Sequence, residues 1–486
     1  MSNSSRSLLS DTISGVRWVA IDKWSNRVMG LLVLTVLGRL LDPTEFGLVA
    51  IASGVMSLAG IFSEQGFGRA LIQRDSLPRI YPSTTFWVSA GTSIFLSLFL
   101  ILLAPAIAKL FGDDALRPVI QILSLGLVIN ALSSTPASLL ERDFKFKALA
   151  IRRFVGTLSG GVAAIAAGLV GLGVWSLVIQ TLVSGLVGLI VLWSASSWRP
   201  RLEFSIFALR NMWSVGISIM AMGIVGIANS QVDRLLIGTV LDAEAVGYYF
   251  MAIRVVGIMV DLFSSIFSGI ALTTFSKLQN DQGNLLKWFY KLTSLSSAIS
   301  LPVFGIALVT APIMVPFVFG KSWDGSITLF QILCLLGALN AVAYFDRTVL
   351  IAVGKAKQAF LLLLGQTILG VILVAISLPW GVVAVATAVT LRQYLYWPSR
   401  LFTLKKYIDL DPKKYFLQWL RPFLISAAAT AACLSTTLVW PRLIGDSPLI
   451  YITLCILIFV GIYGGGAWIF EPQYFKDLQN VFKRRF

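Results

Sequence analysis

Charged side chains inside long apolar stretches are the residues of this sequence best placed to do chemistry. Asp22, Lys23 and Arg27 lie in the first stretch, where Lys23 and Arg27 are four residues apart and share one helix face. Arg254 and Asp261 lie seven residues apart in a later stretch. Charges in such places are costly and face a polar cavity or a partner. Because arginine forks suit phosphate, the pattern predicts a polar, net-positive cavity for an anionic ligand.

The remaining charges of this kind are Glu64, Asp233, Arg234 and Arg392. An alternative interpretation is that these groups only neutralise one another, for example Lys23 with Glu64 and Arg254 with Asp261. A carboxylate can also exchange charge with a proton or a sodium ion, which would couple transport to an ion gradient. The candidates for such coupling are Asp22, Glu64, Asp233 and Asp261. No other cofactor and no metal site is expected.

The composition indicates that these charges belong to a membrane-embedded chain. Of the 486 residues, 57% are hydrophobic and 13% are charged, whereas a soluble domain has about 25% charged residues. The mean hydropathy is +0.83. A soluble core cannot bury that much apolar surface, so we predict an all-α integral membrane protein. The three cysteines lie in apolar runs and are expected to be buried thiols without disulfides.

Apolar runs of about 20 residues predict fourteen membrane helices. Their predicted ranges are 16–41, 44–66, 84–109, 116–138, 147–170, 173–195, 211–240, 244–272, 286–318, 326–346, 357–379, 381–403, 420–440 and 449–470. The first helix has the weakest signal, because its uninterrupted apolar part, VMGLLVLTVL, is short. No cleavable signal peptide is expected, since the first fifteen residues are polar.

The basic residues predict the orientation of these helices. With a cytoplasmic N-terminus, most of the 39 Lys and Arg residues fall in cytoplasmic segments. The external loops then hold only Arg39, Lys109, Arg117, Lys321 and Arg442. The net charge of +16 therefore reflects topology and attraction to an anionic inner leaflet, and nucleic-acid binding is not expected.

Four sets of residues recur in the same order and indicate a duplication. Two are longer stretches, a third is Lys145 and Lys147 with Lys355 and Lys357, and the fourth is GVW at Gly173 with GVV at Gly381. LGRLLDPTEFG at Leu37 returns as IGTVLDAEAVG at Ile237, and QILSLGLVINA at 121–131 returns as QILCLLGALNA at 331–341. The repeated unit has six predicted helices. Because six is even, both copies run the same way and are related by an axis along the membrane normal, which predicts two lobes around a central cavity.

The duplication predicts three domains. They are an N-lobe with helices 1–6 at 1–205, a C-lobe with helices 7–12 at 206–410, and helices 13 and 14 with a cytoplasmic tail at 411–486. A short basic linker, KKYIDLDPKK at 405–414, is expected before the last two helices. The first repeated turn also carries helix-start signals, with Asp42 as the N-cap, Pro43 at the first helical position and Glu45 completing a capping box.

Enzyme chemistry has few candidates here. The chain has no histidine, which argues against histidine-based acyl transfer and histidine metal sites. FGKS at 319–322 lacks the glycine of a phosphate-binding loop, because Val315 stands in its place. The predicted outer loops are too short for a catalytic domain. A membrane glycosyltransferase or polymerase is therefore disfavoured, and stays open only as an alternative.

The chain resembles the Wzx-type flippases of bacterial polysaccharide export, which belong to the multidrug/oligosaccharidyl-lipid/polysaccharide exporter superfamily. The resemblance lies in LGRLLDPTEFG, LLERDFKFKALAIRR, GVWSLVIQ and NSQVDRLLIGTVLDAEAVGYY, and it extends over residues 10–480. It implies that an undecaprenyl-diphosphate-linked oligosaccharide moves from the inner to the outer leaflet of the cytoplasmic membrane by alternating access. The product would enter exopolysaccharide, capsule or O-antigen synthesis.

The resemblance also implies residues and partners. The implied substrate-binding residues are Lys23, Arg27 and Arg254. The implied partners are the lipid-linked glycan, membrane lipid and the polysaccharide polymerase machinery. A cation-coupled multidrug exporter of the same superfamily would share this architecture, so it is the first alternative function.

The charge distribution makes a topology prediction, with both termini in the cytoplasm. Reporter fusions at Asp114 and Asp446 should report the outside of the membrane. Fusions at Lys147 and Lys406 should report the cytoplasm. An inside signal at Asp114 would contradict the predicted helix order.

Overall fold

The fold is taken from a computed structural model, which describes residues 3–74, 76–439 and 448–470. Within these ranges, the side chains at 3–17, 19–21, 23, 214–215, 265–270, 437–439, 448 and 470 lie outside the description. The described chain consists of helices and loops and contains no strand. The predicted all-α fold class is therefore confirmed.

Seventeen α-helices occur in the described ranges. They are α1 Asn3–Leu40, α2 Pro43–Glu64, α3 Phe67–Gln73, α4 Ile80–Phe111, α5 Leu116–Leu123, α6 Leu125–Arg142, α7 Phe146–Leu169, α8 Trp175–Ala195, α9 Ile206–Val240, α10 Ala243–Lys277, α11 Gln282–Phe319, α12 Ser326–Val342, α13 Phe345–Ala352, α14 Ala356–Ser377, α15 Val382–Ile408, α16 Pro412–Val439 and α17 Pro448–Phe470. Two single-turn 3₁₀ helices lie at Lys321–Trp323 and Leu378–Trp380.

Eleven spans in the described part of the chain are long and apolar enough to cross a membrane. Some of them combine two consecutive helices, such as α5 with α6 and α12 with α13. The helix α9 adds a twelfth if its two parts, Ile206–Trp213 and Gly216–Val240, form one span. The chain is thus a multi-pass membrane protein. The count of fourteen spans stays a prediction, because α1 and α15 are not among these candidates.

Two predicted helices are interrupted in the structure. The predicted helix at 116–138 is divided at Ser124 into α5 and α6. The Ser124 hydroxyl donates a hydrogen bond to the Gln121 carbonyl at 2.7 Å and is 3.0 Å from the Ser97 hydroxyl. A serine bonded back to its own backbone in this way competes with the helical hydrogen bonds. The predicted helix at 326–346 is also interrupted, between α12 and α13.

The boundaries of other helices also differ from the prediction. The helix predicted to reach residue 66 ends at Glu64, because Gln65 and Gly66 adopt left-handed backbone angles, with φ of 46° and 68°. The short helix α3, which the sequence did not predict, follows them. The predicted linker at 405–414 is much shorter in the structure. It covers only 409–411, because α15 extends to Ile408 and α16 begins at Pro412.

Contacts within the chain group it into two compact units, Met1–Gly247 and Tyr248–Phe486. The first unit includes α9, which packs against α2, α3 and α4. The sequence predicts α9 in the second lobe instead, with boundaries at 205 and 410. That three-domain division, and the superposition of two six-helix lobes, stay predictions.

The two copies of the repeated turn lie against each other inside the first unit. The carbonyl oxygen of Ala243 occupies the space that a Cβ atom at Gly47 would need, and the carbonyl oxygen of Pro43 does the same at Gly247. These are equivalent positions of the two turns, so the contact is reciprocal. Because glycine has no Cβ, its presence at both positions lets the starts of α2 and α10 approach this closely.

Each copy of the turn also caps its helix. The Glu45 carboxylate accepts a hydrogen bond from the backbone N–H of Asp42 at 3.0 Å, and Pro43 is at the first helical position, as predicted. In the second copy, the Asp242 carboxylate accepts a hydrogen bond from the backbone N–H of Ala245 at 2.7 Å. These bonds satisfy backbone groups that the first turn of a helix leaves without a partner.

A second close helix pair in the first unit is formed by α7 and α8. A Cβ atom at Gly160 would lie 2.6 Å from the carbonyl oxygen of Gln180, and one at Gly156 would lie 2.8 Å from that of Ser184. Small residues four apart allow membrane helices to pack backbone to backbone. The same helix α7 also packs against α1. The position of α1 in the first unit therefore depends on α7.

The second unit contains a buried polar chain that links three helices. Arg400 donates a hydrogen bond to the Gln366 side-chain oxygen at 2.6 Å, and Gln366 donates to Gln393 at 2.7 Å. Gln393 then donates to Asn340 at 2.5 Å. These bonds connect α12, α14 and α15. All three cysteines are buried and free, as predicted.

The glycine contact makes a stability prediction. Gly247→Ala should lower the amount of folded protein, because the new methyl group overlaps the Pro43 carbonyl and overpacking of this kind costs about 1–3 kcal/mol. The matched control is Gly257→Ala on the same helix, which has open space around its Cα. Size-exclusion chromatography and thermal melting of both purified variants provide the measurement. Equal stability of the two variants would contradict the close contact.

Candidate functional site

A polar cavity of about 770 Å³ lies inside the first unit. Parts of α2, α3, α6, α8 and α9 line it. Its polar lining consists of Ser53, Ser57, Ser63, Glu64, Arg69, Asn130, Ser134, Ser138, Glu141 and Thr181. Glu64, one of the predicted site residues, is exposed to this space. The cavity combines hydroxyl, amide, carboxylate and guanidinium groups, which together can donate and accept many hydrogen bonds.

The break after α2 sets the shape of this cavity. Gly66 takes a left-handed conformation, and a Cβ atom there would lie 2.8 Å from Ile219 on α9. The chain therefore turns between Glu64 and Arg69, and both residues line the same cavity. The short helix α3 is held to α6 because Arg142 donates a hydrogen bond to the Leu71 carbonyl at 2.7 Å.

A second cavity of about 480 Å³ adjoins the first. It is lined by parts of α1, α6, α7 and α8, and the two cavities share Gly126, Asn130 and Thr181 as lining residues. Its charged lining residues are Arg152 and Arg153 on α7. We call this space the cationic cavity. Its electrostatics differ from those of the larger cavity, which has two carboxylates and one guanidinium group.

Asp22 connects α1 to α7 beside the cationic cavity. Its carboxylate pairs with the Arg153 guanidinium at 2.8 Å and accepts a hydrogen bond from the Asn26 amide at 2.7 Å. Thr157 donates in turn to the Asn26 side-chain oxygen at 2.7 Å. Asp22 is therefore held by an ion pair with another helix. Its predicted role in ion coupling stays a prediction.

The predicted substrate-binding residues lie in both units. Arg27 is half-buried on α1 in the first unit, and Arg254 is exposed on α10 in the second. The Lys23 side chain lies outside the described residues. Asp261 is exposed on α10. A shared cavity for Arg27 and Arg254 stays a prediction.

Three other predicted charged residues, Asp233, Arg234 and Arg392, make defined contacts. The Asp233 carboxylate is buried and accepts a hydrogen bond from the backbone N–H of Arg234 at 2.9 Å. The Arg234 guanidinium donates to the Gln231 side chain at 2.9 Å. Arg392 packs against α14, where its guanidinium and methylene groups fill the space beside Gly370. Nothing in these contacts assigns a transported ion to them.

Sequence reasoning missed four charged residues that line the cavities: Arg69, Glu141, Arg152 and Arg153. It counted the three arginines among the cytoplasmic basic residues that determine topology. A signal was present at Arg152 and Arg153, which lie inside a helix four residues before the small residues Gly156 and Thr157. Small residues one turn from the arginines indicate that this face of the helix packs against a neighbouring helix.

The fold and the cavities define an all-helical, multi-pass membrane protein with a polar interior site. The profile of the family described as "Polysaccharide biosynthesis protein" matches residues 36–328, more than half of the chain. The chain belongs to this family.

Two relatives align with most of the chain. One is the lipopolysaccharide biosynthesis protein WzxC of Escherichia coli (strain K12), which is 26% identical over 431 residues, or 86% of each chain. The other is the teichuronic acid biosynthesis protein TuaB of Bacillus subtilis (strain 168), which is 26% identical over 426 residues, or 87% of this chain and 88% of TuaB.

Solved structures agree with the fold. The inward closed conformation of the lipid II flippase MurJ matches with a TM-score of 0.78 at 16% identity, over 93% of this chain and 98% of MurJ. An inward-facing multidrug resistance MATE family transporter of the MOP superfamily matches with a TM-score of 0.56 at 16% identity, over 81% of this chain and 94% of that one. The predicted resemblance to the Wzx-type branch of this superfamily is confirmed.

The pair between Asp22 and Arg153 predicts an asymmetric response to mutation. The Asp22 side chain is only 7% exposed, whereas that of Arg153 is 62% exposed. Arg153→Gln leaves a buried carboxylate without its cation and should cost about 1–3 kcal/mol of stability. Asp22→Asn leaves an exposed guanidinium and should cost less. Thermal melting of both single variants and the double variant tests this, and a larger loss for Asp22→Asn would refute it.

Proposed function

We propose that this protein is a flippase for an undecaprenyl-diphosphate-linked oligosaccharide. It would move this lipid from the inner to the outer leaflet of a bacterial cytoplasmic membrane by alternating access, with both of its termini in the cytoplasm. The glycan would then enter exopolysaccharide, capsule or O-antigen synthesis, where polysaccharide polymerase machinery is the expected partner.

The polar cavity of 770 Å³ is the observation that carries this proposal. Polar groups inside a membrane protein are costly unless they have partners, and they mark the pathways of polar substrates. Hydroxyl, amide and carboxylate groups are also suitable partners for the hydroxyl groups of a sugar. Its serine, threonine and asparagine side chains are therefore suited to a glycan.

The names of the relatives support the same class of substrate. WzxC is named for lipopolysaccharide biosynthesis and TuaB for teichuronic acid biosynthesis. A third relative, ExoT of Rhizobium meliloti (strain 1021), is named as a succinoglycan biosynthesis transport protein and is 26% identical over 311 residues. These proteins serve different glycans. The proposal for this chain is therefore limited to a lipid-linked oligosaccharide as a class.

The charged residues have defined roles in this proposal. Lys23, Arg27 and Arg254 would replace the water around the diphosphate, because burial of that group without partners is costly. Since the chain has no histidine, a carboxylate would carry any coupled proton. The candidate carriers of a proton or sodium ion are Asp22, Glu64, Asp233 and Asp261.

The test is transport in proteoliposomes. A fluorescent undecaprenyl-diphosphate oligosaccharide is placed in both leaflets, and a membrane-impermeant reductant is added outside. A flippase makes nearly all of the fluorophore accessible, whereas protein-free liposomes expose about half. Mass spectrometry of the recovered glycan detects any lengthening, which would indicate a polymerase instead. Loss of drug resistance in a deletion strain, together with no flipping, would indicate a drug exporter of the same superfamily.

The residue-level prediction concerns Arg254. Arg254→Ala should abolish flipping at normal protein levels, and Arg254→Lys should restore it only in part, because lysine lacks the two-pronged contact with phosphate. If Arg254 only neutralises Asp261, the single variant should lose folded protein and the double variant Arg254→Ala with Asp261→Ala should recover both protein and flipping. Recovery of flipping in the double variant would refute a substrate-binding role.

A further inference from the structure

A groove of about 570 Å³ lies between α14 and α15 in the second unit. It shares no lining residue with the two cavities of the first unit, and none of its residues has a role in the proposed transport. One end is polar and holds Gln358, Lys406 and Tyr407, which lie at the start of α14 and at the end of α15. Further along the two helices the lining includes Leu361 and Phe402. We call this space the lysine groove.

The apolar part of the lysine groove is exposed. Phe402 is 70% exposed and Leu361 is 50% exposed. The helix α14 belongs to Ala356–Trp380, one of the spans that are long and apolar enough to cross a membrane. Its exposed apolar surface continues beyond Leu361 at Ile368, Ile372 and Ile376. A surface of this kind on a membrane span contacts lipid, so the groove is open to an acyl chain.

Two ammonium groups meet at the polar end of the groove. The Lys355 Nζ atom lies 5.5 Å from the centroid of the Tyr407 ring, and the Lys406 Nζ atom lies 5.6 Å from the same centroid. The Gln358 amide donates a hydrogen bond to the Tyr407 hydroxyl at 3.4 Å and so connects α14 to this ring. The ring attracts both cations. The two cations repel each other, and an anion placed beside them would offset that repulsion.

The protein itself does not neutralise this end of the groove. It carries four exposed lysines, and none of them forms an ion pair with a described residue: Lys355, Lys357, Lys405 and Lys406. The two carboxylates that follow α15 have other partners. Asp409 accepts a hydrogen bond from the Gln282 amide at 2.8 Å, and the Asp411 carboxylate accepts one from the backbone N–H of Lys413 at 2.9 Å. The polar end therefore keeps a net positive charge.

The order of groups along the lysine groove matches a phospholipid. Basic pockets between membrane helices at the cytoplasmic side bind anionic lipid headgroups, and tyrosine rings are typical of the headgroup level. The predicted topology places Lys406 at that side. Pro398, which also lines the groove, lies eight residues before Lys406, or about 12 Å at 1.5 Å per residue. That length accommodates a phosphate, its glycerol and the start of an acyl chain.

The charge of the groove favours an anionic phospholipid over a zwitterionic one. A zwitterionic headgroup carries its own ammonium group, so it has no net charge with which to offset the four lysines. An anionic headgroup has no such cation. Lysine side chains near an anionic lipid surface each contribute roughly fivefold to the affinity.

We propose that the lysine groove binds an anionic phospholipid of the cytoplasmic leaflet. Lys355 and Lys406 hold its phosphate beside Tyr407, and an acyl chain lies along Leu361 and Phe402. This lipid is a structural ligand and is not transported. It connects α14 to α15 and stabilises the second unit, because a ligand that binds only the folded state shifts the folding equilibrium. The site is independent of the proposed function, since binding requires no flipping.

The experiment compares phosphatidylglycerol with phosphatidylethanolamine of the same acyl chains. Native mass spectrometry and thermal melting of the full-length protein in detergent measure binding and stabilisation. Wild type should bind phosphatidylglycerol about tenfold more tightly and melt at a higher temperature in its presence. The double variant Lys355→Gln with Lys406→Gln should lose roughly tenfold or more in affinity for this lipid, with no change for phosphatidylethanolamine.

The matched control removes the same charge outside the groove. It is Lys413→Gln with Lys414→Gln, two exposed lysines at the start of α16 that do not line this space. This control should keep the preference for phosphatidylglycerol. An equal loss in the control would show that the lipid responds only to surface charge, and it would overturn the proposal.

A further variant tests the groove without a change of charge. Ser399 is exposed and lines the lysine groove, so Ser399→Trp should fill the space and weaken phosphatidylglycerol binding several-fold. The matched control is Ser435→Trp, at an exposed serine of α16 that lies outside the groove. Equal binding by these two variants would contradict a lipid seated between α14 and α15.

Undecaprenyl diphosphate serves as a third probe. If its binding depends on Lys355 and Lys406 whereas that of phosphatidylglycerol does not, the groove belongs to the carrier lipid and the proposal is wrong. Equal affinity of wild type for the two phospholipids would also refute it. Loss of phosphatidylglycerol binding in the lysine variant and in Ser399→Trp, with both controls unchanged, supports the site. None of these results decides whether the protein flips its substrate, because transport is measured separately.

Discussion

Lipid offers no hydrogen-bond partner to a polar group, and the described structure follows from that constraint. The backbone satisfies itself by forming helices, which is why no strand occurs in the described part of the chain. Hydroxyl side chains donate hydrogen bonds to backbone carbonyl groups of the same helices. Ser93 donates to the Ser89 carbonyl at 2.7 Å and Thr85 donates to that of Tyr81 at 2.9 Å. Such bonds lower the cost of burying a polar face of α4 inside the first unit.

Charged and amide groups need larger arrangements, and two kinds occur in the described chain. Some groups form networks of hydrogen bonds. In the second unit, Asp346 is fully buried and accepts a hydrogen bond from the Tyr415 hydroxyl at 3.2 Å, and Arg400 donates to the first of a chain of hydrogen-bonded amide side chains. Other polar groups line the two cavities of the first unit. A network connects neighbouring helices, whereas a cavity leaves its polar groups available to a ligand, so these cavities are the candidate binding site.

Glycine residues lie where helices of the first unit approach each other most closely among the contacts described above. At Gly47 and Gly247 the absence of a side chain allows the starts of α2 and α10 to touch through carbonyl groups. At Gly156 the same property serves two purposes, because this residue packs α7 against α8 and also lines the cationic cavity. Close packing in lipid depends on such contacts, since helices in a bilayer have no hydrophobic driving force between them. The cationic cavity is therefore lined in part by a residue that holds two helices together.

The sequence by itself determined the lipid environment, the positions of most helices, the buried thiols and the capping at Asp42. These features depend on composition or on residues a few positions apart, and a linear pattern contains that information. It also located Glu64 in an apolar stretch, where the structure places it in a cavity. The break at Ser124 was missed, because apolar runs on either side make the interrupted segment look continuous, and the short helix α3 after Gly66 was not predicted.

Only the tertiary structure decided which charges meet. Asp22 pairs with Arg153, 131 residues further along the chain, and this contact depends on the packing of α1 against α7. Sequence periodicity gives the face and depth of a charge on its helix but not the neighbouring helix. In lipid that ambiguity is large, because apolar side chains cover nearly every face of a helix and several neighbours would fit equally well. Small residues and buried hydrogen bonds settle the choice, and those act between segments far apart in the chain.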